Sequence, residues 1–480
     1  MRHLQPRGVL GAALALALAS SATAESALAA SSTTADAPAG TSVPGHAGST
    51  APRALLDEPA PWWWRAPLAS DAGEGVPRTP PGFRFEGTTM SLWQRTAAER
   101  IERDARSTIP YQLPPADLFE PDLYVWDAWP LRTVEGDVAT IDGWHVMIAL
   151  SSARESGSAW PFYTRSTWRF WYTKDGNWQL GGPVFSREAA LGSRQWAGSS
   201  TYDPETGRVT FYYTAVGAPD AASLEDDTPP LAYPPNHPAA GRPSTVQRMA
   251  AVSAAVTTGP QGVTFDDFGE HRIILEADGE LYQTHERSRT DQVIYGMRDP
   301  WFWREPETGD DYILFTANAG FAPGTHNGVV GVARANDAGG WELLPPILGA
   351  PGVSSQLERP HLVRRGERLY LLFSTHTFTF ADGLSGPEGL YGFVSHTGRL
   401  EGPWEPLNGS GLVAGNPPSA PTMTYSYLTL PDGWVMSYLN TAGGEITESA
   451  PGKFFGGPAP LFRVAFDGAR SELVDNASGR

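Results

Sequence analysis

No cysteine occurs in the 480 residues. That excludes disulfides, zinc–thiolate sites, iron–sulfur clusters and a cysteine nucleophile, so the fold must be stable on packing alone. Positive charge is scarce as well: 35 Lys and Arg stand against 53 Asp and Glu, a formal charge of −18. The imbalance disfavours nucleic acid and anionic membrane as partners and suits a neutral substrate. No apolar run reaches the length of a membrane span. There is no P-loop, no dinucleotide fingerprint and no His-Glu-x-x-His. His237, His326 and His361 lack metal-ligand spacing and read as structural or exposed. No metal and no cofactor is expected.

Aromatic residues, by contrast, are abundant. Seventeen Trp suit carbohydrate recognition, although large all-β folds are also rich in Trp. The N-terminus carries the three parts of a secretion signal. Arg2 and Arg7 precede an apolar run from Val9 to Ala19, and Ala22-Thr23-Ala24 provides small residues for cleavage. Ala27-Leu28-Ala29 is a second possible cut. The expected product is secreted, extracellular or periplasmic, with 1–24 as signal peptide. Residues 25–80 are rich in Ala, Ser, Thr, Gly and Pro and read as a flexible leader. Trp62-Trp63-Trp64 within it are expected to tuck against the folded part, a single domain over 81–480.

A helix is predicted around Ser91 to Asp104, with Ser91 as cap and Trp93, Ala97 and Ile101 on one face. From Leu123 onward the pattern turns to short β-type runs: Trp144–Ala149, Trp168–Thr173, Val209–Thr214, Ala250–Thr257, Tyr312–Ala317, Leu369–Phe373, Leu390–Val394, Tyr425–Leu430 and Trp434–Leu439. Asp142-Gly143, Asp175-Gly176, Asp278-Gly279 and Asp432-Gly433 mark turns among them. Such a chain is all-β: a sandwich, barrel or propeller. No sharp repeat gives a blade count. Residues 217–245, rich in Pro and Ala with an acidic Glu225-Asp226-Asp227, read as a long surface loop.

Three acidic motifs carry the chemistry. Asp127 lies between two indoles in Trp-Asp-Ala-Trp-Pro, Asp299 in Met-Arg-Asp-Pro-Trp, and Glu358 in Gln-Leu-Glu-Arg-Pro-His. Indole faces stack on sugar rings and exclude water. A carboxylate there can attack an anomeric carbon if a second acid protonates the leaving group. Taken singly, Asp127 could equally cap a turn, Arg298-Asp299 could be an ion pair, and Glu358 a solvated strand end.

Together, in this order, the motifs resemble the levansucrase–inulosucrase–fructofuranosidase family, glycoside hydrolase family 68. The resemblance covers roughly Leu92 to Phe466. Leu92-Trp93-Gln94-Arg95, Arg194 to Ser199, His376 to Gly383, Gly386 to Phe393 and Thr424-Tyr425-Ser426 extend it. The His376 and Gly386–Phe393 stretches are most similar to the Gram-negative branch.

The resemblance implies a five-bladed β-propeller, preceded by the helical segment, with a funnel-shaped site at one end of its axis. Asp127 would be the nucleophile, Glu358 the general acid and base, and Asp299 a stabiliser of the transition state. Trp126, Trp196 and Arg298 would line the fructosyl pocket; Gln356, Arg359 and His376 would lie toward the glucose or acceptor side. Asp127 nearby would raise the pKa of Glu358, and Arg298 would keep Asp299 ionised.

Three positions depart from the family: Gln195 and Ala197 replace Glu and Ser of a Glu-Trp-Ser-Gly-Ser motif, and Thr316 stands where Glu is usual. Ser355 replaces a calcium-binding Asp of some Gram-positive relatives, so no calcium site is expected. The implied activity is retaining fructosyl transfer from sucrose to a growing β-fructan (levan) or to water, by a monomer. Its partners are sucrose and fructan acceptors, with no nucleic acid and no membrane. Sucrose hydrolysis, inulin synthesis and a catalytically dead sugar-binding propeller are the alternatives.

Overall fold

Alternating apolar runs closed by Asp-Gly turns build antiparallel strands, because period-two side chains bury one face at a time. Every β-type run named above lies in a strand to within one residue. At Asp142-Gly143 both residues have positive φ, 50° and 80°, as a two-residue hairpin turn requires. The computed structural model describes residues 84–85, 88–112, 115, 118–154, 166–218, 243–287, 295–322, 324–441 and 454–474. The expected signal peptide, the leader with Trp62–Trp64 and most of the 217–245 loop lie outside the described residues.

Five sheets form the blades of a propeller, and in chain order their first strands are Leu123–Pro130, Arg194–Asp203, Met297–Arg304, Glu358–Arg365 and Thr424–Thr429. These first strands touch one another in a closed ring and line the axis. Second strands follow by hairpin: His145–Ala153, Arg208–Val216, Asp311–Asn318, Arg368–Thr375 and Trp434–Leu439. Arg154 ties blade 1 to the strand-free stretch before the last hairpin, donating to the carbonyls of Phe455 (2.9 Å) and Gly456 (2.8 Å).

At one level of the axis, all five inner strands break register with the second strand of their blade. The breaks fall between Trp126 and Trp129, between Trp196 and Gly198, between Arg298 and Trp301, between Glu358 and His361, and between Tyr425 and Leu428. Four of them hold non-glycine residues at positive φ: Asp127 (44°), Asp299 (62°), Arg359 (52°) and Ser426 (59°). Such residues are uncommon outside glycine, and a bulge re-aims a side chain.

Hydroxyl groups secure the bulges across blade junctions. The Asp299 N–H donates to Thr214 Oγ1 (2.9 Å), the Arg359 N–H to Thr316 Oγ1 (3.1 Å) and the Tyr427 N–H to Ser374 Oγ (2.9 Å). Thr214, Thr316 and Ser374 occupy one register position, opposite Trp196, Arg298 and Glu358. Blade 1 has Leu150 there and blade 5 has Tyr438.

The helix expected over 91–104 shrinks to one turn, Arg95–Ala98, with Gln94 in the cap position. Ser91-Leu92 instead pairs in parallel with the outer strand of blade 3, at Leu348 and Gly349. Trp93 then enters blade 4, where Phe373, Phe380, Tyr391 and Phe393 surround it with ring centroids 5.4–5.9 Å away. Its indole N–H donates to Ser410 O at 2.9 Å. The apolar periodicity is satisfied by strapping sheet edges, not by a helix face. Trp93→Ala is expected to destabilise the protein by about 3–5 kcal/mol, read from the midpoint of urea unfolding.

Candidate active site

The bulges bring Asp127, Asp299 and Arg359 to the axis, and Glu358 one residue before its own bulge. Arg359, expected toward the glucose or acceptor side, does not pair with Glu358. It is buried, and its guanidinium donates to Ser426 Oγ (2.7 Å), Ser426 O (3.2 Å) and Ala128 O (3.0 Å). It thus joins blades 4, 5 and 1 beside Asp127. Asp299 accepts from Thr316 Oγ1 (2.8 Å) and from the Arg359 N–H (3.3 Å).

Arg298 lies beside Asp299, as expected, and also reaches Glu358. Its Nε lies 3.5 Å from Asp299 Oδ2, but its terminal nitrogen pairs with Glu358 Oε1. Successive side chains of a strand point to opposite faces, so Arg298 reaches the next blade more directly than its own neighbour. Glu358 further accepts from the Tyr425 hydroxyl, and His376 Nε2 stands 3.5 Å from its Oε2. Burial pushes Glu358 up, but Arg298, His376 and Tyr425 together hold it below the usual carboxylate range. The expectation that Asp127 would raise Glu358 is therefore corrected: the cations and the phenol outweigh the neighbouring acid.

The raised groups are the other two. Burial pushes Asp127 up to about 6; Arg359 and the Ser426 hydroxyl oppose this, while Asp299 and Glu358 add to it. Asp299 is also raised, because burial outweighs Arg298. Tyr438, facing Asp127, stays a phenol: burial and the nearby acids hold it well above its ordinary value.

Trp126 is only 1% exposed and packs edge-on against Phe454 at 6.0 Å. Expected to line the fructosyl pocket, its indole is packed within the hydrophobic core. Trp196 is half-buried, and its carbonyl accepts from the Trp168 indole (2.9 Å). Gln356 is partly exposed, and its backbone carbonyl accepts from Ser354 and Thr375 at 3.0 Å each. His376 is buried, with Nδ1 3.0 Å from Glu388 Oε1. His361 is structural: it donates from Nδ1 to Arg359 O and accepts the Thr429 N–H at Nε2, each at 2.9 Å.

Residues 83–329 and 324–478 match the profile of glycoside hydrolase family 68, levansucrase/invertase. The chain belongs to that family. It is 31% identical over 423 residues to levansucrase LscA of Pseudomonas savastanoi pv. glycinea, covering 79% of this chain and 93% of the relative. It is 32% identical over 412 residues to an extracellular sucrase of Zymomonas mobilis subsp. mobilis, covering 79% and 91%. A solved inulosucrase of Halalkalicoccus jeotgali bound to kestose is similar with a TM-score of 0.71 at 36% identity, covering 80% of this chain and 95% of that one.

Within family 68, the departures at Ala197 and Thr316 now have a structural account. The hydroxyl missing at Ala197 is supplied to Asp127 by Ser426 from blade 5. Thr316 is buried and bridges Asp299 to the Arg359 backbone with one hydroxyl. The side chains that sequence reasoning left without a role are Tyr425, Ser426, Tyr438 and Glu388. Tyr425 and Ser426 were visible only as part of a matching tripeptide, and Glu388 only inside Gly-Pro-Glu-Gly.

The raised Asp127 has a consequence for stability. A carboxyl whose folded pKa exceeds its unfolded value stabilises the fold at low pH, and that contribution is lost as pH rises through about 6. Asp127→Asn, which tolerates positive φ, is expected to raise Tm at neutral pH and to do so less at mildly acidic pH. Thermal scans of both proteins at the two pH values check this; an equal or reversed difference contradicts it.

Proposed function

We propose that this protein cleaves sucrose with retention of configuration and transfers the fructosyl unit to a sugar acceptor, building β-fructan of the levan type. The observation that carries the reading is the convergence of Asp127, Asp299 and Glu358, from three different blades, at one level of the axis. Two carboxyl groups flanking one bond, one as nucleophile and one as proton donor, are what retaining hydrolysis requires. The Asp127 carboxylate attacks the fructosyl anomeric carbon and forms a covalent ester. Glu358 protonates the departing glucosyl oxygen, then takes a proton from the acceptor. Asp299, fixed by Thr316 and the Arg359 N–H, stabilises the positive charge that develops on the sugar. The names of the relatives, levansucrase, sucrase and inulosucrase, are consistent with sucrose as donor.

A sucrose time course that follows glucose and free fructose separately tests the reading. Glucose in excess over fructose is expected; equal amounts would mean that water is the acceptor and the protein is a hydrolase. Asp127→Asn and Glu358→Gln should each reduce kcat by at least about a thousandfold while far-UV circular dichroism stays unchanged. A variant that keeps near-normal turnover removes its residue from the mechanism.

The pH dependence follows from Asp127. It must be ionised to attack, so kcat/KM for sucrose is expected to rise with pH through about 6. A rate that is flat from mildly acidic to neutral pH would contradict this assignment. Export rests on the N-terminal pattern of residues 1–24, and N-terminal sequencing of protein recovered outside the cell tests it.

A further inference from the structure

Glu358 is held ionised by its partners, yet the first half-reaction asks it to donate a proton. A second proton holder is built into blade 4. The His376 ring lies between Tyr425, with ring centroids 3.6 Å apart at 15°, and Phe378, at 4.6 Å and 25°. Thr379 fixes the His376 backbone, donating to its carbonyl at 2.8 Å. The clamped ring points one nitrogen at each of two acids: Nδ1 is 3.0 Å from Glu388 Oε1, and Nε2 is 3.5 Å from Glu358 Oε2.

Glu388 is an odd residue to bury. It is 2% exposed, and its Oε2 has no hydrogen-bond partner among the described residues. A carboxylate kept from water is expensive, and one retained for stability alone would be bonded at both oxygens. The backbone nevertheless holds it in place. Its carbonyl accepts the Asn416 N–H at 2.9 Å, and a Cβ at the following Gly389 would lie 2.3 Å from Ala414 O, so only glycine fits where this strand starts against its neighbour. Among the described residues, the imidazole is the one group that its Oε1 engages.

We propose that Glu388 is a positioning residue of the reaction: it fixes the Nδ1–H tautomer of His376, so that Nε2 passes a proton to Glu358 and recovers it in each turnover. A carboxylate can only accept, so Nδ1 carries a hydrogen and Nε2 is left as the exchanging site. The charged and titratable groups around the pair are Glu388, Glu358 and Tyr425, with Arg298 and Asp299 beyond Glu358 and Tyr438 nearby. As the glycosidic C–O bond breaks, Nε2 gives its proton to the ionised Glu358 and Glu358 delivers a proton to the glucosyl oxygen, so that Glu358 ends as the carboxylate it began as. His376 is left neutral, still donating to Glu388. In the second half, the acceptor hydroxyl gives its proton to Glu358, which returns it to Nε2. No proton is gained or lost overall. The 3.5 Å gap is of the kind that closes when a substrate is bound.

The inference rests on the sucrose-cleaving reading, and Glu388→Gln tests it. Gln keeps the shape and an acceptor oxygen for Nδ1–H but removes the charge that favours a proton on the ring. The basic limb of kcat for sucrose is expected to move to lower pH by about one unit, with kcat above that limb down about tenfold. KM for sucrose should stay within about twofold. A fructofuranoside with an aryl leaving group that departs without protonation should lose less than about twofold. Glu388→Asp should recover part of the sucrose rate. Equal losses on both donors with an unmoved pH profile would overturn the proposal and leave Glu388 structural. Nitrogen-15 NMR of the wild-type protein decides the matter if the variant does not fold: Nδ1 of His376 protonated throughout, with Nε2 titrating, supports it, and a bare Nδ1 overturns it. A wild-type protein that releases no glucose from sucrose fails the underlying reading, whereas an active wild type with an unmoved Glu388→Gln profile fails this inference alone.

Discussion

Three carboxylates can share a buried centre only when cations are buried with them, because an unpaired charge away from water costs several kcal/mol. Here the cations are Arg298 and Arg359, each supplied by an inner strand and each spent across a blade boundary. Arg298 leaves blade 3 for Glu358 on blade 4. Arg359 leaves blade 4 for Ser426 on blade 5 and Ala128 on blade 1. The ring of blades is therefore closed at its centre by the same groups that set the charge of the acids. Removing either guanidinium disturbs both the assembly of blades and the electrostatics of the site.

That arrangement depends on backbone that sheets rarely use. Four inner strands place a non-glycine residue at positive φ at one level, and hydroxyls of Thr214, Thr316 and Ser374 hold three of the following bulges by their N–H groups. Strain of this kind persists only where surrounding bonds over-determine it. The two junctions beside blade 1 lack a Ser or Thr at that register. The junction of blades 5 and 1 is held instead by Arg359 and Arg154. Asp127 thus sits at the junction that Arg359 and Arg154 hold, and it is the acid that burial raises to about 6.

Much of this was legible. The strands announced themselves through alternating apolar runs and Asp-Gly turns, since both signals are local. The acids were legible too: Asp127 stands between two Trp, and Asp299 and Glu358 sit in short motifs that resemble a family. The helix over 91–104 misled because Trp93, Ala97 and Ile101 need burial, and a sheet edge with an aromatic cluster buries Trp93 as well as a helix face would. Trp126 is ambiguous for a related reason: an indole beside an acid looks the same in a sequence whether it meets sugar or core.

The first residues of the five register breaks are Asp127, Ala197, Asp299, Arg359 and Ser426, so the strongest repeat of the fold keeps no single side-chain type. By itself, the sequence determined nine of the strands, the absence of thiol chemistry and the three acidic motifs, because these depend on composition and near neighbours. Only the tertiary structure decided which charges meet. Arg298 and Glu358 are separated by 60 residues, Arg359 and Ala128 by 231. Nothing local encodes such pairings. They arise when bulged strands from different blades converge on one axis, and that convergence makes Glu358 the ionised acid and Asp127 the raised one.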